Sequence, residues 1–343
     1  SERYERVMVL KGAMNQDQQL AEALDLLAGK NVVVLTETLS NLENEKFIGN
    51  MDRVVSTITE DEQLMFSPDL LITLDVPVLS KMIKKILRNR APQLHWHFSN
   101  QDEITDTYQA LSGVIKGNAP QILKQVAEKM EPREKRFRDT WEKRASFSKE
   151  RHNQYFDKLA WCDLAMFKTL SECQFKPMQV HLGNSTPVRY AQLFNWSAGQ
   201  SWYANRGTSG IDGCVSTAAG AAYASQQPVF LIVGDLSFLY DSNGLWHKYL
   251  PPSFRILVVN NSGGGIFRFI PGPTDTDELE QYFEAKHDTR CEGIASAFGL
   301  NYTACHNNEE FKQAIDNFFE PSDKPAILEV FTPNVDEWFL LVL

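Results

Sequence analysis

The sequence predicts an α/β protein made of two three-layer domains with mainly parallel sheets. Short apolar runs alternate with helical patterns along the whole chain, which is the mark of strand–helix–strand architecture. Two runs, Val229-Phe230-Leu231-Ile232-Val233 and Ile256-Leu257-Val258-Val259, are continuously apolar, as strands covered on both faces by helices must be. Both runs end in polar residues, Gly234-Asp235 and Asn260-Asn261, and open parallel sheets bind ligands beyond such carboxyl ends.

In the first domain, residues 1–150, strands are expected at 7–10, 32–35, 70–75 and 93–98, with helices at 17–28 and 79–89 between them. His95 and His97 alternate in an apolar run and so belong to a strand. The stretch 119–149, rich in Lys, Glu and Arg, reads as an exposed linking helix. In the second domain, residues 151–343, strands are expected at 178–182, 202–205, 229–234, 255–260, 301–305 and 326–331. Helices are expected at 186–195 and 214–224, the latter rich in small residues that permit close packing on a sheet.

Composition removes several function classes. The chain has 343 residues and a net charge of -10, against the basic surface that nucleic-acid binding needs. No run of apolar residues is long enough for a membrane span, and no signal peptide is visible, so a cytoplasmic protein is expected. The 5 cysteines form no CxxC pair and the 7 histidines no HExxH, so reduced thiols and no zinc site are expected. The near-immediate entry into a strand, without an initiating Met, reads as a cut at a domain boundary.

Asp235 and Asn261 follow what should be adjacent buried strands, which brings a carboxylate and an amide oxygen together. Both are hard ligands suited to Mg2+, and the Gly263 carbonyl offers a third. The loop Asn261-Ser262-Gly263-Gly264-Gly265 allows backbone to approach a phosphate. Taken singly, Asp235 is also a plain helix cap and Asn260-Asn261 a plain turn. The run Gly207–Gly213 before the small-residue helix reads either as a tight turn or as an anion site using free N–H groups of the helix start.

Gly234-Asp235-Leu236-Ser237 through Asn260-Asn261 resembles the thiamine-diphosphate motif, which opens Gly-Asp-Gly and closes Asn-Asn. Leu236 departs from it, and that departure resembles the 2-succinyl-5-enolpyruvyl-6-hydroxy-3-cyclohexene-1-carboxylate synthases of menaquinone biosynthesis. Gly183-Asn184-Ser185 with Arg189, the run Asn205-Arg206-Gly207-Thr208-Ser209-Gly210-Ile211-Asp212-Gly213, and Gly264-Gly265-Ile266-Phe267 resemble the same family. The likeness is strong over residues 179–270 and weaker over the first domain.

The resemblance implies a thiamine-diphosphate-binding fold in the second domain and a middle domain before it. It implies a transferase that decarboxylates 2-oxoglutarate and adds the product to isochorismate, working as a homo-oligomer. Asp235, Asn261 and Gly263 would hold Mg2+ or Mn2+. Ser209, Ile211, Gly234, Asp235, Leu236, Ser237, Asn261, Gly263, Ile266 and Phe267 would contact the cofactor, with Ile211 the wedge that bends it and Ile266, Phe267 and Ile270 an apolar wall. Asn184, Ser185, Arg189, Arg206 and Lys81 would meet substrate, the guanidinium groups pairing with carboxylates. Asn184 and Ser185 serve equally as a helix cap, Arg189 as a surface charge, and Lys81, beside Lys84 and Lys85, as part of a solvated face. The family's cofactor-activating glutamate belongs to a pyrimidine-binding domain that this sequence is expected to lack, so a fragment inactive by itself is expected. Other 2-oxo-acid decarboxylases of the acetolactate-synthase type, or a non-catalytic α/β module, are the competing readings. A nicotinamide dehydrogenase is disfavoured, because no GxGxxG follows the first strand.

Overall fold

A computed structural model describes residues 4–225, 227–268 and 276–333. Contacts divide the chain into two units, with the boundary between Tyr155 and Phe156.

The first unit holds a parallel sheet of β1 (Val7–Lys11), β2 (Val33–Thr36), β3 (Leu70–Leu74), β4 (Leu94–Phe98) and β5 (Gly113–Ile115), in the order β2-β1-β3-β4-β5. Alternate residues of β1 feed two cores. Val7 and Val9 pack with Leu20, Leu24 and Leu27 of the helix Gln18–Gly29. Met8 and Leu10 pack with Ile83 and Leu87 of the helix Lys81–Asn89. Burial on both faces explains the unbroken apolar strands and gives three layers. Asp17 caps the first of these helices, accepting from the Leu20 N–H at 3.0 Å, and Ser80 caps the second.

The charged stretch expected as an exposed linker forms two helices, Ala119–Lys129 and Lys135–Phe156, and both pack into this unit. Trp141 is fully buried and meets Phe66 edge-on at 5.1 Å between ring centres. The buried positions Phe137, Trp141, Ser148 and His152 lie on one narrow helical stripe, which the charges on the remaining faces obscure in the sequence. The edge strand β5 has no counterpart among the expected strands; it is too short to carry a periodic signal.

The second unit holds β6 (Gln179–Leu182), β7 (Ser201–Ala204), β8 (Val229–Gly234), β9 (Arg255–Asn260), β10 (Asn301–Cys305) and β11 (Ala326–Phe331). All pair in parallel, in the order β10-β11-β9-β8-β6-β7. The chain passes from β6 outward to β7, then returns to lay β8 on the other side of β6. That reversal opens a crevice at the carboxyl ends of β6 and β8, the place where such sheets take ligands. The helix Cys214–Ala224 buries Val215, Ala218, Ala219 and Ala222 with Leu231 and Val233 of β8. Small side chains allow that approach. The other face carries aromatics, with Phe230 at 5.0 Å from Phe319 and 6.2 Å from Phe175.

The fold class read from the sequence is therefore the one observed. Among the described residues, no helix is long and apolar enough to cross a membrane.

Candidate functional site

Because all six strands of the second unit run the same way, their polar ends emerge on one edge. β8 ends at Gly234, which occupies the cap position of the helix Asp235–Asp241. Asp235 is thus the first helical residue, not the cap, and its carboxylate is buried. One oxygen accepts the Leu236 N–H at 2.6 Å. The other accepts the Gly263 N–H at 2.8 Å, across from the end of β8 to the loop after β9. His287 Nε2 lies 3.3 Å from Asp235 Oδ2, and that carboxylate raises the imidazole's pKa.

Asn261 follows β9 directly. Its amide nitrogen donates to Asp163 Oδ2 at 2.9 Å, which leaves its Oδ1 to offer a cation. Asp163 opens the helix Asp163–Ser171, and its other oxygen accepts the Thr332 hydroxyl at the end of β11. Full burial lifts the Asp163 carboxyl to about 6, against the two hydrogen bonds that lower it and with the nearby Asp235 raising it further. Asn260 is fixed as firmly: its Nδ2 donates to the buried Glu329 at 2.7 Å, and Glu329 also accepts the Tyr302 hydroxyl at 2.6 Å and the Cys291 N–H.

Gly263 has φ +148, and an added Cβ would lie 2.6 Å from the Glu284 carbonyl oxygen. Only glycine fits both the angle and the contact. Its carbonyl accepts from Gly265 at 3.1 Å and keeps a second lone pair. Ile266 and Phe267 sit on the 3-10 turn Gly265–Arg268 just beyond, with Phe267 at 5.6 Å from Phe283. Ile270 lies outside the described residues.

The β6 and β7 ends supply the other wall. Asn184 does not cap the helix Thr186–Ala191; its Nδ2 donates to the carbonyls of Asn205 at 2.7 Å and Gly210 at 2.6 Å. Its Oδ1 accepts from Arg206 Nη1 at 2.6 Å, which fixes the guanidinium at the end of β7. Ser185 stands at the cap position with φ +73 and makes no capping bond. Ser209 and Ser262 also have positive φ, at 63 and 64 degrees, so strained backbone gathers on this edge. Arg189 is half-buried, its Nε without a partner among the described residues. The Ser237 hydroxyl donates to the Ile211 carbonyl and ties the helix after β8 to the glycine-punctuated loop. In the first turn of the small-residue helix the Ser216 N–H donates to Asp241 Oδ2 at 2.6 Å.

The structure therefore joins Asp235 to Gly263, Ser237 to Ile211, and Arg206 to Asn184, and sets Asn261 against Asp163. Lys81 belongs to the first unit, where it opens the helix Lys81–Asn89. The donor set fits a hard divalent cation: a carboxylate, an amide oxygen whose nitrogen is committed elsewhere, and a backbone carbonyl. Among the described residues, no group of three His, Cys, Asp or Glu side chains offers a competing metal site. Asp163, Thr332, His287 and Glu329 were not anticipated; each lies on another element, in a sequence context with no motif.

Residues 183–330 match the family described as thiamine pyrophosphate enzyme, C-terminal TPP binding domain. That span runs from the end of β6 to the end of β11 and contains Asn184, Arg206, Asp235, Asn261 and Gly263, while Asp163 and Thr332 lie outside it. Over 338 residues the chain is 37% identical to a 2-succinyl-5-enolpyruvyl-6-hydroxy-3-cyclohexene-1-carboxylate synthase of Christiangramia forsetii, covering 97% of this chain and 58% of that protein. The chain is similar to this synthase over nearly its whole length. It is 34% identical to the enzyme of the same name from Flavobacterium johnsoniae, over 98% of this chain and 61% of that one. The corresponding protein of Porphyromonas gingivalis is 36% identical over 96% of this chain and 59% of its own length. The likeness to these synthases thus extends across both units, and the chain spans 58–61% of these relatives' length. The second unit carries the family's thiamine-diphosphate-binding fold, and the resemblance read from Gly234-Asp235-Leu236-Ser237 pointed to the right family.

Proposed function

We propose that these residues supply the diphosphate- and metal-binding half of a menaquinone-pathway synthase acting on 2-oxoglutarate and isochorismate. The observation that carries the reading is the meeting of Asp235 and Gly263 at 2.8 Å beside Asn261, on the carboxyl edge of the family-matched sheet. The Asp235 carboxylate, Asn261 Oδ1 and the Gly263 carbonyl would hold the Mg2+ or Mn2+ that accompanies thiamine diphosphate. The cofactor, when bound, supplies the electron sink for decarboxylation and carbon–carbon bond formation.

The protein's share is position and charge. Ser209, Gly234, Leu236 and Ser237 would contact the cofactor, with Ile211 its apolar wedge and Ile266 and Phe267 an apolar wall. Arg206, held by Asn184, and Arg189, beside Ser185, orient substrate carboxylates. Two dicarboxylate substrates suit two arginines better than a monocarboxylate does, which favours this reading over other 2-oxo-acid decarboxylases. Residues 1–150 form the middle domain and 151–343 the diphosphate-binding domain of the whole protein, a cytoplasmic homo-oligomer. We assign no cofactor-activating carboxylate within these residues; in this reading it belongs to a pyrimidine-binding domain, and these residues alone are inactive.

Calorimetric titration of the whole protein with thiamine diphosphate, with and without Mg2+, tests the reading. Magnesium-dependent heat that disappears in Asp235→Ala is expected. Binding indifferent to both would replace the reading with a non-catalytic α/β module.

A further inference from the structure

Asp163 sits 98 residues before Asn261 in the chain, yet its carboxylate is the partner that fixes the Asn261 amide. An asparagine side chain can rotate and present either its nitrogen or its oxygen, and only the oxygen can bind a cation. The hydrogen bond from Nδ2 to Asp163 Oδ2 settles that choice. Asp163 is itself held from two sides. It is the first residue of the helix Asp163–Ser171, where the helix dipole favours a carboxylate, and its Oδ1 accepts from Thr332, which follows β11. All three side chains are buried, at 2% exposure for Asp163 and 8% each for Asn261 and Thr332. Neither oxygen of Asp163 is left over: one serves Asn261, the other Thr332.

We propose that Asp163 is a positioning residue for the metal site: it sets the Asn261 amide so that Oδ1 faces the cation shared with Asp235 and Gly263. The role rests on the metal reading of the previous subsection and deepens it. Asp163 does not touch the cation; it acts through Asn261, and Thr332 in turn holds Asp163. A partner that orients a metal ligand in this way typically changes metal affinity by about 10–100-fold when removed.

The test is Mn2+ binding to the whole protein in the presence of thiamine diphosphate, read from loss of the free-ion electron paramagnetic resonance signal. Asp163→Ala is expected to raise the Mn2+ Kd by about 10–100-fold. Asp163→Asn keeps an acceptor oxygen for Asn261 and a polar partner for Thr332. It is expected to bind Mn2+ within about threefold of wild type, the remaining loss reflecting only the missing charge. A residue that merely supported the fold would lower the melting temperature in both variants and leave the Kd of the folded protein unchanged. The combined Asp163→Ala/Asn261→Ala variant should bind no more weakly than Asn261→Ala alone, because Asp163 acts through that side chain.

Wild-type Mn2+ affinity in folded Asp163→Ala overturns the proposal. So does equal damage from the Ala and Asn variants, which would make the charge, not the positioning, responsible. If Asp163→Ala does not fold, Thr332→Val carries the test by loosening Asp163 without touching Asn261. A weaker Mn2+ affinity is then expected, and an unchanged one overturns the role. Asp235→Ala separates the two levels. If it retains Mn2+ binding, the metal reading falls and the positioning role with it; if it alone loses binding, only the positioning role falls.

Discussion

Asp235 and Gly263 meet through one hydrogen bond of 2.8 Å, from the backbone of the β9 loop to the first carboxylate beyond β8. The bond couples the two neighbouring strand ends, and it requires the Gly263 backbone to hold φ +148 against the Glu284 carbonyl.

Gly263→Ala should therefore damage both the fold and the site. The strained angle costs about 1–3 kcal/mol, and the clash adds to it. A lower urea midpoint is expected, together with loss of Mg2+-dependent thiamine diphosphate binding in calorimetry. Wild-type behaviour in both assays would show that the loop can move aside.

Arg206 depends on Asn184, whose Oδ1 accepts from Nη1 at 2.6 Å. Arg206→Ala should raise the KM for a dicarboxylate substrate with little change in cofactor affinity. Asn184→Ala should reproduce much of that effect, because it frees the guanidinium and releases the Asn205 and Gly210 carbonyls. A double-mutant cycle on KM should show coupling of about 0.5–3 kcal/mol between the two positions. Strict additivity would remove the orienting role of Asn184.

Glu37 should make the first unit's stability depend on pH. Its buried carboxyl accepts the Leu79 and Ser80 N–H groups at 2.8 and 2.9 Å, yet burial outweighs them and raises it from 4.5 to about 7. The folded state therefore holds the proton more tightly than the unfolded chain. The resulting stability is full below pH 4.5 and is lost as pH rises through 7, an effect on the order of 3 kcal/mol. Urea titrations at pH 5 and pH 8 should show wild type losing more stability than Glu37→Gln across that interval. His95, lowered to about 4 chiefly by burial, acts in the opposite sense below pH 6.5 and cancels in the comparison. Equal losses in the two proteins would dispose of the Glu37 contribution.

Trp141→Ala tests whether the charged helix is structural. The ring is fully buried against Phe66, so the substitution should cost about 3–5 kcal/mol and lower the first unit's melting temperature. A loss below about 1 kcal/mol would restore the exposed-linker reading.

What the sequence determined by itself follows from local rules. Val229-Phe230-Leu231-Ile232-Val233 is apolar at every position, so it had to be a doubly covered strand, and its strand limits at residues 229–234 are those observed. Parallel strands share one edge for their carboxyl ends, so Asp235 and Asn261 had to follow neighbouring strand ends on that edge. The glycines and the departure at Leu236 were enough to name the family. The stretch 119–149 reads as exposed because the four buried positions of helix 135–156 are diluted by charge over many turns. Only the tertiary structure decided who holds the ligands in place. Asp163, Thr332 and Glu329 reach Asn260 and Asn261 because β11 is laid beside β9 and the helix from Asp163 docks at the same edge. Strand order is set by the packing of whole layers, and a carboxylate at the start of a largely buried helix carries no local sign of the partner that packing will give it.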